Sequence, residues 1–438
     1  MGVDSYLKMS VVVDFGSYTS KVGFATDTTP TFSERSVAAS YSSAMGAANT
    51  IRFGEDGLSA ASCDPEARVM PSLWSASSLV SATQATVAST SSAASREVLF
   101  QHVLHLYSRL FNTNNPTPLL GAHPLNAIIP ETWFSDRRVL ETLVETLLGY
   151  SYGSERAVNG PALYLSRPSV SAAVGAGRPS ALVLDVGHSQ TTATAVCDGY
   201  ALGSSIRSVP AGGAALNNLL LNLCPVSPAT GERCPHSLSS ICRSLGYPQG
   251  WMPTFVDRAV STFRVYGGTS MTVPKLGDQV KESAPVALHF ELPDGNQALV
   301  PEHDVFGVYE HGMFSGSKLS SQRTATNALP SYNIANLLVD CKSRVDPQVS
   351  QLLPVVVCGG VSQTRGFAER FAKELRLVDP SITAMYNPLL PVPAGAIYNL
   401  QWSGAALISQ SSAFSGMWIT SGEYEELGSS LLSRKLFL

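Results

Sequence analysis

An α/β protein of two similar halves is the architecture this sequence predicts, and three observations carry it. Three short apolar runs each end in a small or acidic turn: Val11-Val12-Val13-Asp14-Phe15-Gly16, Ala181-Leu182-Val183-Leu184-Asp185-Val186-Gly187, and Pro354-Val355-Val356-Val357-Cys358-Gly359-Gly360. Runs of that length bounded by turn formers read as buried strands. The first two share one plan, strand then Asp-x-Gly then a hydroxyl-rich segment (Ser17-Tyr18-Thr19 and Ser189-Gln190-Thr191-Thr192), which is a weak internal repeat. Helical patterns are interleaved with the runs, as layered α/β folds require.

In chain order, Val11–Phe15 opens as a buried strand. Residues 36–95 follow, rich in Ser and Ala and poor in charge, with Arg52, Glu55 and Asp56 among the exceptions. They read as a small mobile lobe followed by a poorly ordered stretch over 75–95. From Arg96 to Phe111, Leu99, Val103, Leu106 and Leu110 share one helical face. Ser135 is placed to cap a helix running to Leu148, with Gly149 as its stop. After the second strand, 225–235 and 316–328 read as loop-rich. After the third, Gly366 precedes a helix with Phe367, Phe371 and Leu375 on one stripe.

Composition bounds the function. The chain has 438 residues, 44% apolar and 14% charged, with net charge -4, a pI of about 6.1 and mean hydropathy +0.10. That balance fits large folded cores and argues against global disorder. Without a basic field, direct nucleic-acid binding is not expected. No apolar run approaches the ~18–20 residues of a spanning helix, so no membrane association is expected. The start carries neither a secretory h-region nor the hydroxyl at position six of a myristoylation signal. Seven scattered cysteines without a C-x-x-C pair fit a reducing compartment. Cys224, Cys234, His236 and Cys242 form the one cluster that invites a zinc reading, but their spacing matches no familiar site.

Two Asp-x-Gly turns facing each other have a chemical use. Glycine lets backbone approach a phosphate, neighbouring N–H and hydroxyl groups donate to it, and each Asp can hold a water on a divalent metal. Here the residues reach a known family. Asp14-Phe15-Gly16-Ser17-Tyr18-Thr19-Ser20-Lys21 resembles the first phosphate loop of actins, and Asp185 to Thr192, continuing through Asp198-Gly199-Tyr200, resembles the second. Cys358-Gly359-Gly360 through Arg370 resembles the adenosine-side turn and its helix. The C-terminal segments Trp402-Ser403-Gly404-Ala405-Ala406-Leu407, Phe414-Ser415-Gly416-Met417-Trp418-Ile419 and Arg434-Lys435 resemble actin's in order. Within the superfamily, Gly16-Ser17-Tyr18-Thr19 (conventional actin has Gly-Ser-Gly), Thr191-Thr192-Ala193, residues 208–212 and 288–295 resemble the class-four nuclear actin-related proteins.

The resemblance implies the actin fold: two similar lobes, in four subdomains, around a central nucleotide cleft. Subdomain 1 would comprise 1–35, 69–175 (with a Ser/Ala-rich insertion near 75–95) and 400–438. Subdomain 2 would be 36–68, subdomain 3 would be 176–210 and 322–399, and subdomain 4 would be 211–321. It implies ATP and Mg2+ as cofactors, held by Gly16, Ser17, Tyr18, Thr19, Lys21, Gly187, His188, Ser189, Gln190, Gly212, Gly359, Gly360, Gln363 and Tyr398, with Asp14 and Asp185 reaching the metal through water. Tyr398 stands in place of an actin Lys and could stack on adenine. Actin's water-orienting Gln falls on Pro168 and its water-side His on Thr192; the Arg and Asp that follow the cleft glycine fall on Gly213 and Ala214. Proline has no side-chain donor or acceptor, so ATP binding with little or no hydrolysis is expected.

The class implied is a non-catalytic structural subunit of nuclear histone acetyltransferase or nucleosome-remodelling complexes. Its partners would be nuclear actin, a helix of a large scaffold subunit and other chromatin-complex subunits. The helix would sit in a groove lined by Val174, Leu407, Ile408, Phe414 and Met417. Localisation would be the nucleus, with the cytoplasm as the alternative. Two other classes stay open: a cytoskeletal or dynactin-type actin-related protein, and a small-molecule kinase. The divergent 36–68 and 221–280 favour a monomer over a filament, and no Asp has a defensible position as a kinase base.

Overall fold

The computed structural model describes residues 9–41, 50–63, 67–70, 72–74, 90–149, 162–227, 231–244, 287–291, 297–314, 332–364, 366–383, 385–386 and 397–436. Its centre is a pair of five-stranded sheets built on one plan. In the first, Val11–Phe15 pairs antiparallel with Thr19–Phe24 on one side and parallel with Leu125–Ile128 on the other. Phe32–Arg35 and Leu163–Ser166 form the edges. In the second, Ala181–Val186 takes the central place, antiparallel to Thr191–Cys197 and parallel to Val355–Cys358. Both central strands are buried along almost their whole length, Val11, Val12, Val13, Ala181, Leu182 and Leu184 completely. That is why they read as continuous apolar runs rather than as alternating ones. The expected duplication is therefore present as sheet topology, and each sheet has its own core.

The helices mostly follow their patterns. Leu99, Val103 and Leu106 are buried in the Thr90–Phe111 helix, and Phe367, Phe371 and Leu375 in the Phe367–Val378 helix. Gly366 caps the latter at φ 83°, a left-handed turn that glycine takes without strain. Two expectations are corrected. Asp136, not Ser135, caps the Arg137–Leu147 helix: its carboxylate accepts from the N–H groups of Arg138 and Val139, while Ser135 closes the 3-10 turn Glu131–Ser135. A carboxylate at that position also meets the positive end of the helix dipole. The stretch expected to be poorly ordered over 75–95 is helical from Thr90 onward, and 75–89 lies outside the described residues, as does the loop expected over 316–328.

The small lobe has regular structure where it is described. Ala38–Tyr41 pairs antiparallel with Thr50–Phe53 and with Arg68–Met70, and the Gly54–Cys63 helix packs on this sheet through Leu58 and Ala61. The two halves of the molecule meet where the Pro168–Gly175 and Leu400–Gln410 helices cross. A Cβ on Gly404 would lie 1.8 Å from the Ser171 carbonyl oxygen, and one on Gly175 would lie 2.3 Å from that of Leu400. Only glycine lets these backbones approach so closely. Trp402 is fully buried beside the crossing and donates its indole N–H to Val12 O at 3.0 Å. No described helix is long and apolar enough to cross a membrane.

Candidate functional site

The carboxyl ends of the duplicated central strands and of Val355–Cys358 open onto one cavity of about 290 Å3. Ligands of open α/β sheets bind outside such strand ends, and the volume is near the lower end of the ~300–1,000 Å3 of small-molecule sites. Three turns line it. Gly16 to Thr19 follow the first strand, Gly187 to Gln190 follow the second, and Gly359-Gly360 follow the third. The first turn is tied down by Ser36, whose hydroxyl donates to Gly16 O at 2.6 Å. The second is closed by Gly187 N–H donating to Gln190 O at 3.0 Å. The third needs glycine at 359: φ is +92°, and a Cβ would fall 2.3 Å from Val186 O and 2.5 Å from Asp185 Oδ1. The first two turns touch across the cleft. Ser17 Oγ donates to Ser189 Oγ at 3.1 Å and accepts from Ser189 N–H at 3.2 Å.

Charge is concentrated at this point. Lys21 and Asp14 are each 7% exposed. The Lys21 ammonium donates to Asp14 Oδ2 at 3.1 Å and to Tyr398 O at 2.6 Å, and lies 4.2 Å from the centre of the Tyr398 ring. Burial disfavours that ammonium, but Asp14 and Tyr398 more than offset it, so the Lys21 pKa is raised. Burial pushes Asp185 up to about 6, with Asp14 adding to the shift and a hydrogen bond to Gln401 opposing it. The Lys21 ammonium lowers it only in part, so the carboxylate stays undercompensated. Two carboxylates beside hydroxyl-rich turns, one of them undercompensated, fit a hydrated divalent cation bridging phosphates. Among the described residues no three His, Cys, Asp or Glu side chains converge into a direct metal site. Cys224 and Cys234 are free thiols.

Apart from Gly212 and Gln363, every residue expected to hold nucleotide or metal lines the cavity. Gly212 lies behind the second turn, where a Cβ would meet His188 O at 2.5 Å and Gly187 O at 2.7 Å; it lets the turn pack rather than touching the cavity. Gln363 is exposed and donates to its neighbour Ser362, while Val361 and Thr364 face inward. Tyr398 is not a free stacking platform: its hydroxyl is shared with Thr19 Oγ1 at 3.1 Å and its face carries Lys21. His188 packs over Gly213, whose Cβ would come within 2.7 Å of His188 Nδ1. The imidazole therefore occupies room that a side chain at 213 would need. Burial and the nearby Arg35 push the His188 pKa down to about 4, so the ring is neutral at pH 7.

Some cavity residues escaped sequence reading. Trp74 stacks on Phe15 at 3.8 Å between ring centres, and Tyr309 shares a 2.8 Å hydrogen bond with Thr364. Gln401 neighbours the recognisable Trp402, but nothing in the sequence says which way it points. Glu131 follows Pro130 just beyond a strand, the one available signal. It is 2% exposed and accepts from Arg167 Nη1 at 2.7 Å, Ser169 Oγ at 2.6 Å and Ser169 N–H at 3.2 Å. Between Glu131, Pro168, Ser169, Asp185, Thr192 and Thr194 lies a void of about 10 Å3, room for one water. Pro168 begins the Pro168–Gly175 helix there. The wall facing this void thus offers no Gln and no His, and its Glu is already engaged by an Arg and a Ser.

The expected partner groove is only partly on the surface. Leu407 is 55% exposed, and Val174, Phe414 and Met417 are half-buried. Ile408 is 4% exposed and belongs to the interior of its helix, so it is removed from the groove wall. Its neighbour faces solvent because consecutive helical residues point about 100° apart.

Sheet duplication, paired glycine- and hydroxyl-rich turns and the crossing helices define a two-lobed protein of the actin type with a cleft between its sheets. The sequence profile of the actin family, described as Actin, matches residues 155–231 and 259–437. The chain belongs to the actin family. It is similar to actin-related protein 4 of Gibberella zeae, 26% identical over 342 residues covering 72% of this chain and 69% of the relative. The similarity to actin-related protein 4 of Schizosaccharomyces pombe is 25% over 68% of this chain and 72% of that one. Human actin-like protein 9 is 23% identical over 98% of this chain and 88% of its own length.

Proposed function

We propose that this chain is a non-catalytic, ATP-binding structural subunit of a nuclear histone acetyltransferase or nucleosome-remodelling complex. It pairs with nuclear actin on a helix of a scaffold subunit. The observation that carries the non-catalytic part is an asymmetry in the cleft. The groups that bind charge are present, whereas the wall behind Asp185 holds Pro168 and Thr192 where a water would need orienting. Gly16, Ser17, Thr19 and Lys21 would hold phosphate oxygens from one side, with Gly187 and Ser189 from the other. Asp14 and Asp185 would hold magnesium through water, and the metal when bound would neutralise phosphate charge. Val361, Thr364 and Tyr309 would bound the nucleoside end.

Orienting a water is worth orders of magnitude in rate. Glu131 is already engaged by Arg167 and Ser169, so it is not free to orient a water. The complex class rests on the class-four resemblance and on the fungal relatives named actin-related protein 4. Phosphate release from purified protein loaded with ATP and magnesium tests the reading. Bound ATP should survive unhydrolysed, and turnover matching polymerised actin would exclude it.

A further inference from the structure

We propose that Tyr18 and His188 form a latch between the two lobes that retains the bound nucleotide. This rests on the nucleotide-cleft reading above. Tyr18 stands where conventional actin has a glycine, so conventional actin's first loop has no side chain there. In this chain the ring is held from two sides. On its own lobe, the Arg35 guanidinium lies 3.9 Å from the ring centre and Nη1 donates to the Tyr18 hydroxyl at 3.0 Å. Ser36 N–H donates to Tyr18 O at 2.9 Å. Across the cleft, the His188 imidazole lies 4.7 Å from the Tyr18 ring, tilted 45°.

His188 is equally fixed on the other lobe. Its carbonyl accepts from Ala214 N–H at 2.7 Å, and its ring lies over Gly213. Two anchored rings therefore bridge two separate sheets, beside the Ser17–Ser189 contact. Tyr18 and His188 also line the cavity. Phosphates lying between the two turns cannot leave unless the turns separate, and separation breaks the ring contact. A neutral imidazole suits that packing, since a charged one would face the Arg35 guanidinium across the tyrosine. The same two residues that depart from actin, His188 and Gly213, are those that make room for the latch.

The test measures release of a fluorescent ATP analogue from the full chain after adding excess ATP. Tyr18→Gly and His188→Ala should each speed release by roughly tenfold or more, because changes at one site act mostly on the dissociation rate. Tyr18→Phe keeps the ring between Arg35 and His188 and should stay within about threefold of the parent. Hydrogen exchange of peptides covering 16–20 and 187–191 in nucleotide-free protein should rise in both disruptive variants and not in Tyr18→Phe. If Tyr18→Gly does not fold, His188→Ala decides alone. Unchanged release and exchange, with nucleotide bound, would overturn the latch and leave the cleft reading intact. A parent chain that binds no nucleotide at all overturns both.

Discussion

Lys21 sits where sequence, packing and charge meet. Its strand is buried because the neighbouring Val22 is fully buried in the first sheet's core, and that register turns the ammonium toward Asp14 at 3.1 Å. A buried ammonium persists because Asp14, the Tyr398 carbonyl and the Tyr398 face surround it. Lys21→Ala should therefore act twice. Nucleotide affinity should fall by about 1.5–3 kcal/mol, the worth of a desolvated charge-assisted contact. The melting temperature should fall as well, because Asp14 is left buried without its cation. A nucleotide titration and a thermal melt read the two effects separately, and unchanged affinity would remove Lys21 from the site.

At the scale of elements, the Phe32–Arg35 strand is clamped to the Thr90–Phe111 helix through Glu34. His102, His105 and Arg109 share one face of that helix. His102 Nε2 lies 3.5 Å and His105 Nε2 3.2 Å from Glu34 Oε1, and Arg109 pairs with Oε2. The indole N–H of Trp74 donates to His102 Nδ1 at 3.0 Å, which places the His102 proton on Nε2, toward Glu34. A second proton would set two N–H groups against each other, and burial also lowers the His102 pKa despite Glu34. Burial works against the Glu34 carboxylate, yet the neighbouring His102 and His105 imidazoles, the latter within hydrogen-bond distance of Oε2 at 3.3 Å, hold it below the usual range. Both folded-state values lie below the unfolded ones, so both contributions have one sign. The His102 contribution is fully present above about pH 6.5 and is lost as pH falls; that of Glu34 follows below about pH 4.3. His102→Gln keeps an acceptor for Trp74 and a donor for Glu34 but cannot titrate. It should flatten the loss of melting temperature between about pH 7.5 and 5.5. A variant that melts with the parent's pH slope would show that His102 does not carry it.

For the whole molecule, the decisive feature is the crossing of the Pro168–Gly175 and Leu400–Gln410 helices, which ties the two sheets together through Gly175 and Gly404. The outward face of the same Leu400–Gln410 helix is the proposed docking wall. Leu407 lies on it, 55% exposed, and Ile408 lies beneath it, 4% exposed. Leu407→Asp should abolish co-purification with the scaffold subunit while leaving the melting curve unchanged. Ile408→Asp should instead lower stability steeply, since it buries an unpaired charge. Co-purification that survives Leu407→Asp would place the scaffold helix elsewhere.

The duplicated strand–turn units were legible in sequence because a buried central strand must be apolar throughout and a phosphate-type turn must be small. Asp14, Asp185 and the turns at 16–19, 187–190 and 359–360 were readable on that ground, and Lys21 through the resemblance to actin's first phosphate loop. The resemblance to actin put Pro168 at the water-orienting position, and the proposed lack of hydrolysis rests on that correspondence. What lay beyond sequence was direction and distance. Ile408 and Leu407 are both apolar, and only packing decides which of them faces the interior. Tyr398 is an aromatic near a cleft in sequence, but its fold places it beneath Lys21 and against Thr19. Glu131, Trp74 and Tyr309 come from distant segments and reach the cavity only once the sheets are assembled. Sequence determined which residue types stand at the turns of the cleft, because turn geometry and strand burial act over a few residues. The tertiary structure alone decided that Tyr18 meets His188, because that contact exists only between two lobes brought face to face.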